Sequence, residues 1–250
     1  MDIGHITQLA KDQLGDQARP AYHQDLTGPT SQNHLKVDKL GAGDLIFVDS
    51  GVAGSNPQHS YEKDGLLLSV DRPLGAPTVN MGSWGAARMQ TAALPETFLL
   101  IAVLERPKQV SLGTAPPAGV YAPSLLINTG ISPFMGVTSQ FRPEGVRLNL
   151  PGTGVMPIRP SIAQSLADKI LDPQHPSTIG LALTVNRSTA SGSGKGFLFV
   201  GNEEADSLAF NFANFTTATP IADIRAGIGT ATGQEFRASV YLLAFQIWLP

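Results

Sequence analysis

The densest group of carboxylates in the sequence follows a short apolar stretch in the last third of the chain. Residues 196–201 read GFLFVG, and Glu203, Glu204 and Asp206 come directly after them. Two carboxylates can act as acid and nucleophile in glycoside cleavage, or can hold a hard cation through oxygen ligands. Adjacent residues of a strand point to opposite faces, so Glu203 and Glu204 are poorly placed to share one substrate. The pattern favours a solvated turn, and we expect no catalytic residue; Asn202, Glu203 and Glu204 are kept as candidates for contacting a ligand.

A glycine-rich stretch precedes that apolar run. Residues 191–196 (SGSGKG) lack the spacing of a phosphate-binding loop, and a predicted strand rather than a helix follows them. The sequence also has no G-x-S-x-G motif, so it lacks the nucleophile motif of the commonest class of serine hydrolases. We therefore predict a flexible hairpin tip at residues 191–196.

Metal chemistry has little support in the sequence. The five histidines are scattered, and no pair has the close spacing of a zinc site. The chain has no cysteine, which excludes disulfides, thiolate metal sites and a cysteine nucleophile. We expect no metal site and no cofactor.

Trp84 is the residue that most suggests ligand binding. It stands in the small-residue stretch Gly82-Ser83-Trp84-Gly85, which we predict to be a turn between strands at 78–81 and 86–91. Sugar rings stack their C–H faces on exposed aromatic rings, so Trp84, with Tyr121 or Tyr61, is a candidate platform for a glycan. The alternative is that Trp84 caps the edge of the core. Trp248 lies in the last predicted strand and is expected to pack in the interior.

The elements that must position these residues are mostly strands. The last third contains four predicted strands joined by turns rich in Gly, Ser, Asn and acidic residues, at 178–186, 196–201, 222–229 and 237–249. The most strand-like run is 98–106 (FLLIAVLER), closed by a proline. Further strands are predicted at 35–40, 44–49, 66–70, 124–128, 135–140 and 145–150, with a polar loop at 51–61. One internal helix is predicted at 161–171, capped by Ser161.

The N-terminal segment differs from the rest. Residues 2–14 place Ile3, Ile6, Leu9 and Leu14 on one face of a helix that Asp2 can cap. Residues 15–34 lose periodicity and gather polar residues, as extended arms do. We divide the chain into an anchoring arm at 1–39 and a β-sandwich at 40–250. The arm either docks on a neighbouring subunit or packs on its own domain.

Composition narrows the possible partners. The net charge is -3 with 17 Lys and Arg residues and no basic cluster, which argues against a nucleic-acid surface. No apolar run is long enough to cross a bilayer, and the first residues lack the pattern of a secretory signal. We expect no nucleic-acid partner, no membrane insertion, and synthesis in a cytoplasm.

The order of predicted elements resembles the laminin-G or concanavalin A-like jelly roll. The resemblance covers roughly residues 66–250 and is carried by residues 77–106, 124–140, 179–186, 197–202, 224–229 and 236–250. It implies an all-β, antiparallel jelly-roll sandwich with an N-terminal helical arm and one internal helix. Families of this fold include lectins, adhesion modules, glycosidases, lyases and phage tail-fibre domains. Many hold calcium at the sandwich rim, but Asp64, Asp71, Asp206 and Asp223 have no ligand spacing that marks such a site.

The resemblance leads to an expectation about function. We expect a non-enzymatic virion surface protein, of the phage tail-fibre or receptor-binding type, that contacts host glycans. It would be made in the host cytoplasm, and a cytoplasmic protein is the alternative to a virion component. Its arm would bind other virion proteins, and the chain would form a homo-oligomer, a trimer if it is a fibre. Two alternatives stay open: a purely structural capsid or decoration protein, and a glycoside hydrolase or polysaccharide lyase.

Overall fold

The structure of the protein is a computed structural model, which contains two helices and fifteen strands in the part of the chain that it describes. The described residues are 1–28, 34–50, 58–72, 81–88, 94–105, 123–129, 135–142, 145–149, 164–172, 174–175, 177–188, 190–212, 215–230 and 236–250. The elements in chain order are α1 (Ile3–Leu14), β1 (Arg19–Asp25), β2 (His34–Asp38), β3 (Ile46–Ser50), β4 (Gln58–Glu62), β5 (Gly65–Arg72), β6 (Met81–Arg88), β7 (Thr97–Glu105), β8 (Pro123–Asn128), β9 (Met135–Arg142), β10 (Gly145–Asn149), α2 (Gln164–Leu171), β11 (Thr178–Arg187), β12 (Gly192–Val200), β13 (Glu203–Phe212), β14 (Asp223–Thr230) and β15 (Phe236–Leu249).

The strands form two antiparallel sheets that pack face to face as a jelly-roll β-sandwich, as the sequence predicts. The larger sheet has nine strands, in the order β13-β12-β11-β7-β15-β1-β2, with β5 and β4 attached to β15. The smaller sheet has six strands, in the order β10-β9-β8-β14-β6-β3. All strand pairs in the described part of the chain are antiparallel.

The long strand β15 joins the two ends of the chain. Along one edge its first half pairs with β5 and its second half pairs with β1, while β7 pairs with it along the other edge. The two halves meet at an irregularity between Leu242 and Ala244, where the Leu243 carbonyl accepts a hydrogen bond from the Leu26 N–H at 2.8 Å. One strand therefore ties the N-terminal segment into the sheet.

The core explains why β7 is apolar at every interior position. Phe98, Leu100, Ala102 and Leu104 belong to the cluster between the sheets, and the intervening Leu99, Ile101 and Val103 belong to a second cluster. A strand whose two faces are both buried shows a continuous apolar run instead of alternation. The second cluster lies under α1, which contributes Ile6, Leu9 and Ala10 to it.

Helix α1 therefore packs on the protein's own sheet, which is the second of the two arrangements that the sequence leaves open. The predicted cap is confirmed, because the Asp2 carboxylate accepts a hydrogen bond from the His5 N–H at 2.9 Å. The helix ends at Gly15, whose φ of 95° suits glycine.

The prediction of an extended arm over residues 15–34 is wrong for β1. Ala21 and Tyr22 are both buried because the register shifts between Pro20 and Tyr22, so the apolar alternation of a regular strand is missing from the sequence. The boundary at residue 39 stays a prediction, although β1 and β2 lie before it and already belong to the nine-stranded sheet.

Two predicted loops are also strands. β4 lies in the predicted polar loop at 51–61; it contains no aliphatic residue and pairs with β5 at the border of the sheet. β6 runs straight through the predicted turn around Trp84. Gly85 is there for another reason: a Cβ atom at this position would lie 3.2 Å from both the Leu242 and Leu66 side chains, so glycine allows the two sheets to approach.

The other predicted strands and the internal helix, which is present as α2, agree with the structure where it describes them, and Trp248 is buried, at 6% exposure. Ser161 lies outside the described residues. In the described part of the chain, no helix is both long enough and apolar enough to span a bilayer.

Candidate functional site

An aromatic cluster lies where the borders of the two sheets meet. Phe47 belongs to β3, the last strand of the six-stranded sheet, and His59 and Tyr61 belong to β4, which borders the nine-stranded sheet. The Phe47 and His59 rings stack with centroids 3.6 Å apart and planes inclined by 22°. We call Phe47, His59 and Tyr61 the aromatic edge.

Tyr61 is the exposed member of the aromatic edge. Its exposed fraction is 39%, and among the described residues only one other large hydrophobic residue, Ile3, is exposed. Its hydroxyl donates a long hydrogen bond of 3.4 Å to the Leu45 carbonyl oxygen. Partial burial and the charge of Asp44 raise the pKa of Tyr61, so it is a neutral hydroxyl at physiological pH. The ring therefore offers an apolar surface beside a polar group and a carboxylate.

The loop beside Tyr61 is held by a single carboxylate. Residues 38–45 form this edge loop, and the Asp38 carboxylate accepts hydrogen bonds from the N–H groups of Leu40, Ala42 and Gly43 at 2.8 to 3.1 Å. These bonds fix the backbone around Gly43, whose φ is 69°. The exposed Asp44 thus stands on an ordered loop.

The edge loop is also bound to the core. The buried Tyr22 hydroxyl lies 2.9 Å from both the Gly43 carbonyl oxygen and Gln24 Oε1, and these two acceptors share its single hydrogen. Gln24 Oε1 accepts a second bond from the Leu45 N–H at 2.8 Å. Burial, with the charge of Asp38 second, raises the pKa of Tyr22 far above its usual range, so this phenol stays protonated and keeps donating. Buried polar groups therefore pre-organise the loop.

The other side of β4 carries a second polar group. Glu62 accepts hydrogen bonds from the Ser60 hydroxyl at 2.8 Å and from the Tyr241 hydroxyl at 2.6 Å. Burial, with the Glu62 hydrogen bond next, raises the pKa of Tyr241 well above its usual range. Because Glu62 and Tyr61 are adjacent in β4, their side chains point to opposite faces of the strand.

Two of the three predicted ligand residues at the β12–β13 turn, Asn202 and Glu203, make contacts within the protein. The Asn202 side chain holds the start of α1: its Oδ1 accepts from the Asp2 N–H at 2.9 Å, and its Nδ2 donates to the Asp2 carboxylate at 2.5 Å. Glu203 lies 3.5 Å from Lys169 as an exposed ion pair, and Glu204 is exposed. The predicted solvated turn is wrong in part, because Glu203 begins the strand β13. Ligand contact by these three residues stays a prediction.

The structure around Trp84, the main predicted glycan platform, differs from the prediction. It lies in the middle of β6, paired with Gly227 on one side and Val48 on the other, and not in a turn. Tyr121 lies outside the described residues. Tyr61 lies in β4 at the border of its sheet, and its side chain is exposed.

Sequence reasoning missed Phe47, His59 and Asp44. A signal for His59 and Tyr61 exists, because residues two apart share one face of a strand. This spacing has meaning only if residues 58–62 form a strand, and the sequence predicts a polar loop there. Phe47 and Asp44 could not be found this way, since Phe47 meets His59 from a strand of the other sheet and Asp44 acts on Tyr61 from a loop distant in sequence.

The glycine-rich stretch has a packing role in place of the predicted flexible tip. Gly192, Gly194 and Gly196 are paired in β12, and the Ser188 N–H donates to the Ser191 carbonyl oxygen at 2.8 Å where β11 connects to β12. A Cβ atom at Gly192 would lie 2.6 Å from the Phe215 carbonyl oxygen, and one at Gly194 would meet the Thr184 carbonyl and lie 2.8 Å from the Phe210 ring. These glycines allow close contact between strands and loop.

The part of the chain that the structure describes contains no group of three or more His, Asp or Glu side chains able to hold a metal ion. Of the predicted rim carboxylates, Asp223 is mostly buried. It accepts from Arg225 Nε at 2.6 Å and from Asn128 Nδ2 at 2.9 Å, as in a structural ion pair.

No protein-family model matches the chain, and no curated protein matches it. Several solved structures are similar along most of its length. The CBM2 module of the evolved Dit protein of Lactobacillus casei BL23 phage J-1 gives a TM-score of 0.45 at 8% identity, covering 92% of this chain and 95% of that chain. Arcelin-5, a lectin-like defence protein from Phaseolus vulgaris, gives 0.45 at 11% identity, covering 90% and 96%.

Lectin I from Ulex europaeus, solved with the methyl glycoside of alpha-L-fucose, gives a TM-score of 0.45 at 9% identity and covers 90% of this chain and 95% of that chain. Similarity at this level concerns the arrangement of strands. The assignment of a jelly-roll sandwich therefore rests on the strand order and register of the protein itself.

Proposed function

We propose that this protein is a non-enzymatic carbohydrate-binding protein that contacts glycans through the aromatic edge and the edge loop. The observation that carries the proposal is the exposed Tyr61 ring, set beside the Phe47–His59 stack and the exposed Asp44. A sugar offers C–H faces to an aromatic ring and hydroxyl groups to carboxylates and backbone carbonyls.

Pre-organisation supports the proposal. A ligand that meets groups already fixed does not have to order them, which lowers the entropic cost of binding. The Asp38 carboxylate fixes the edge loop, and Tyr22 and Gln24 attach that loop to the core. The surface next to Tyr61 is therefore ready to accept a ligand without a conformational change.

A hydrolase or lyase has weaker support. Its predicted carboxylates, Glu203 and Glu204, are neighbours in β13, and Glu203 is paired with Lys169. Consecutive strand residues face opposite sides, so these two do not form an acid and nucleophile pair.

The setting in which the protein acts is a further part of the proposal. We place it on a virion surface, as a tail-fibre or receptor-binding component that contacts host glycans and forms a trimer. The support is the jelly-roll architecture together with the cysteine-free, glycine-rich sequence. A purely structural shell protein is the alternative that follows if no glycan binds.

The experiment is a retention assay on immobilised bacterial surface polysaccharides, with new reducing ends measured in the same samples. We expect retention without cleavage. Tyr61→Ala should weaken retention at least about tenfold, the effect of losing a central aromatic contact. Tyr61→Phe should retain nearly wild-type binding, because the ring persists and its hydroxyl bond is long.

Two variants locate the effect. His5→Ala removes a ring that contacts Phe199, in a different part of the nine-stranded sheet, and should leave retention unchanged. Trp84→Ala tests the platform predicted from the sequence. Retention lost with Trp84→Ala and kept with Tyr61→Ala would move the site away from the aromatic edge, and a panel with no retained polysaccharide would refute carbohydrate binding.

A further inference from the structure

We infer that the aromatic edge selects glycans that carry a free amine, as unacetylated amino sugars do, over neutral and acidic glycans. The inference rests on the proposed function and names the class of ligand for the same surface. Two groups stand beside the Tyr61 ring: the exposed Asp44 carboxylate, and the Leu45 carbonyl oxygen, which lies 3.4 Å from the Tyr61 hydroxyl. The ring, the carboxylate and the carbonyl oxygen all attract a cation.

The groups next to Tyr61 are mainly hydrogen-bond acceptors. The Leu45 carbonyl oxygen receives only a long bond from the Tyr61 hydroxyl, so it has capacity for a second donor. The backbone that carries Asp44 is fixed, because the Asp38 carboxylate accepts a hydrogen bond from the neighbouring Gly43 N–H at 2.8 Å. A protonated amine brings three N–H donors and no acceptor, whereas an acidic ligand group brings only acceptors. The surface therefore matches the amine.

The charge beside Tyr61 is negative. The Asp44 carboxylate, second to burial, raises the pKa of Tyr61, so its field reaches the phenol. Residues 38–45 and 58–64 carry four carboxylates against two exposed lysines, Lys39 and Lys63. Lys63 is followed by the exposed Asp64, whereas Asp44 has no basic neighbour in the sequence. A cationic ligand is attracted to this surface, and an acidic one is repelled.

The exposed ring adds a second attraction. A cation is drawn to the electron-rich face of a tyrosine ring, and Tyr61 is 39% exposed. An amino sugar packs its C–H face on the ring and carries its ammonium one bond away from that face, toward the acceptors around it. The acetylated sugar has the same C–H face, but it has lost the charge and two of the three N–H donors.

Two oligosaccharides that differ only in their acetyl groups test the inference on the full chain. Oligomers of glucosamine and of N-acetylglucosamine, equal in length, are titrated by calorimetry at low salt and at mildly acidic pH, where the ligand amine carries its proton. We expect the glucosamine oligomer to bind about fivefold more tightly, the combined effect of a cation–π contact and an exposed charge pair. Added salt should reduce this preference, and a uronic acid oligomer should bind more weakly than either.

Two matched variants assign the preference to the aromatic edge. Asp44→Asn keeps the size of the side chain and removes its charge, so the ratio of the two affinities should fall toward one. Asp16→Asn removes the same charge from the exposed turn after α1 and should leave the ratio unchanged. Tyr61→Ala should weaken the binding of both oligomers.

The outcomes separate the amine preference from carbohydrate binding itself. Equal affinity for the two oligomers would overturn the inference, as would a preference that Asp44→Asn and Asp16→Asn reduce equally. Failure of the glucosamine oligomer to bind while a polysaccharide of the retention panel binds through Tyr61 would overturn it too and leave the proposed function standing. If neither oligomer and no polysaccharide binds, the proposed function fails, and the amine preference fails with it.

Discussion

Arg187 is a buried guanidinium that holds two loops to the end of β11. Its Nη1 donates to the carbonyls of Thr216 and Thr219, and its Nη2 donates to the carbonyl of Leu94 at 2.6 Å. The same group lies 5.2 Å from the centre of the Phe215 ring. Burial lowers the pKa of Arg187, but a guanidinium stays charged at any physiological pH. The side chain thus acts as a fixed cation inside the protein.

Replacing Arg187 should therefore be costly. Arg187→Met leaves several loop carbonyls without donors, and we expect the free energy of unfolding to fall by about 3 kcal/mol. Arg187→Lys should recover only part of this, since a single ammonium cannot replace the planar fork. Denaturant unfolding measures both, with the exposed Arg19→Met as the control expected to stay within about 0.5 kcal/mol. Equal losses for Arg187→Met and Arg19→Met would refute the role of Arg187.

The residues of the candidate site show where sequence reasoning reaches its limit. Tyr61 can be named in advance as an aromatic candidate, because its ring type suits sugar stacking. Phe47 cannot, since its contact with His59 joins strands of different sheets. The predicted turn around Trp84 is wrong because Gly82 and Gly85 signal a turn, whereas Gly85 is required by the close approach of Leu66 and Leu242; glycan binding by Trp84 stays a prediction.

At the scale of elements, the attachment of α1 depends on the ionised state of Asp2. Its carboxylate accepts hydrogen bonds from the His5 N–H and from Asn202, which lower the pKa of Asp2 below its ordinary value of 3.8. The stabilisation is present above the unfolded-state pKa and is lost as the pH falls through the lower folded-state pKa.

We therefore expect α1 to loosen in acid. Hydrogen exchange of the α1 amides, measured relative to the β7 amides, should accelerate as the pH is lowered below about 3.8, after correction for intrinsic rates. Asp2→Asn should show faster relative exchange at neutral pH and no further step in acid. The same acid step in wild type and Asp2→Asn would show that another group fastens the helix.

Strands with strong apolar patterns are predictable from the sequence, and strands without them are not. β7 is a continuous apolar run because it is covered on both faces. β4 carries no aliphatic residue, and β13 begins with two glutamates. Their place in the sheet comes from pairing with β5 and β12, which is a tertiary property that local sequence does not reveal.

For the whole molecule, β15 is the element that makes the N-terminal segment part of the sandwich. Its second half pairs with β1, and its first half pairs with β5 along the same edge. The predicted arm is therefore built into the sheet through β1 and β2, and α1 is the part of it that lies on the surface.

The measurement that tests carbohydrate binding most directly is amide chemical-shift mapping of the full chain during titration with an oligosaccharide from a retained polysaccharide. We predict that the shifts concentrate in residues 38–45 and 58–62, with those of Tyr61 among the largest. Shifts concentrated in residues 201–204 or around Trp84, or no shifts at saturating oligosaccharide, would contradict a binding site at the aromatic edge.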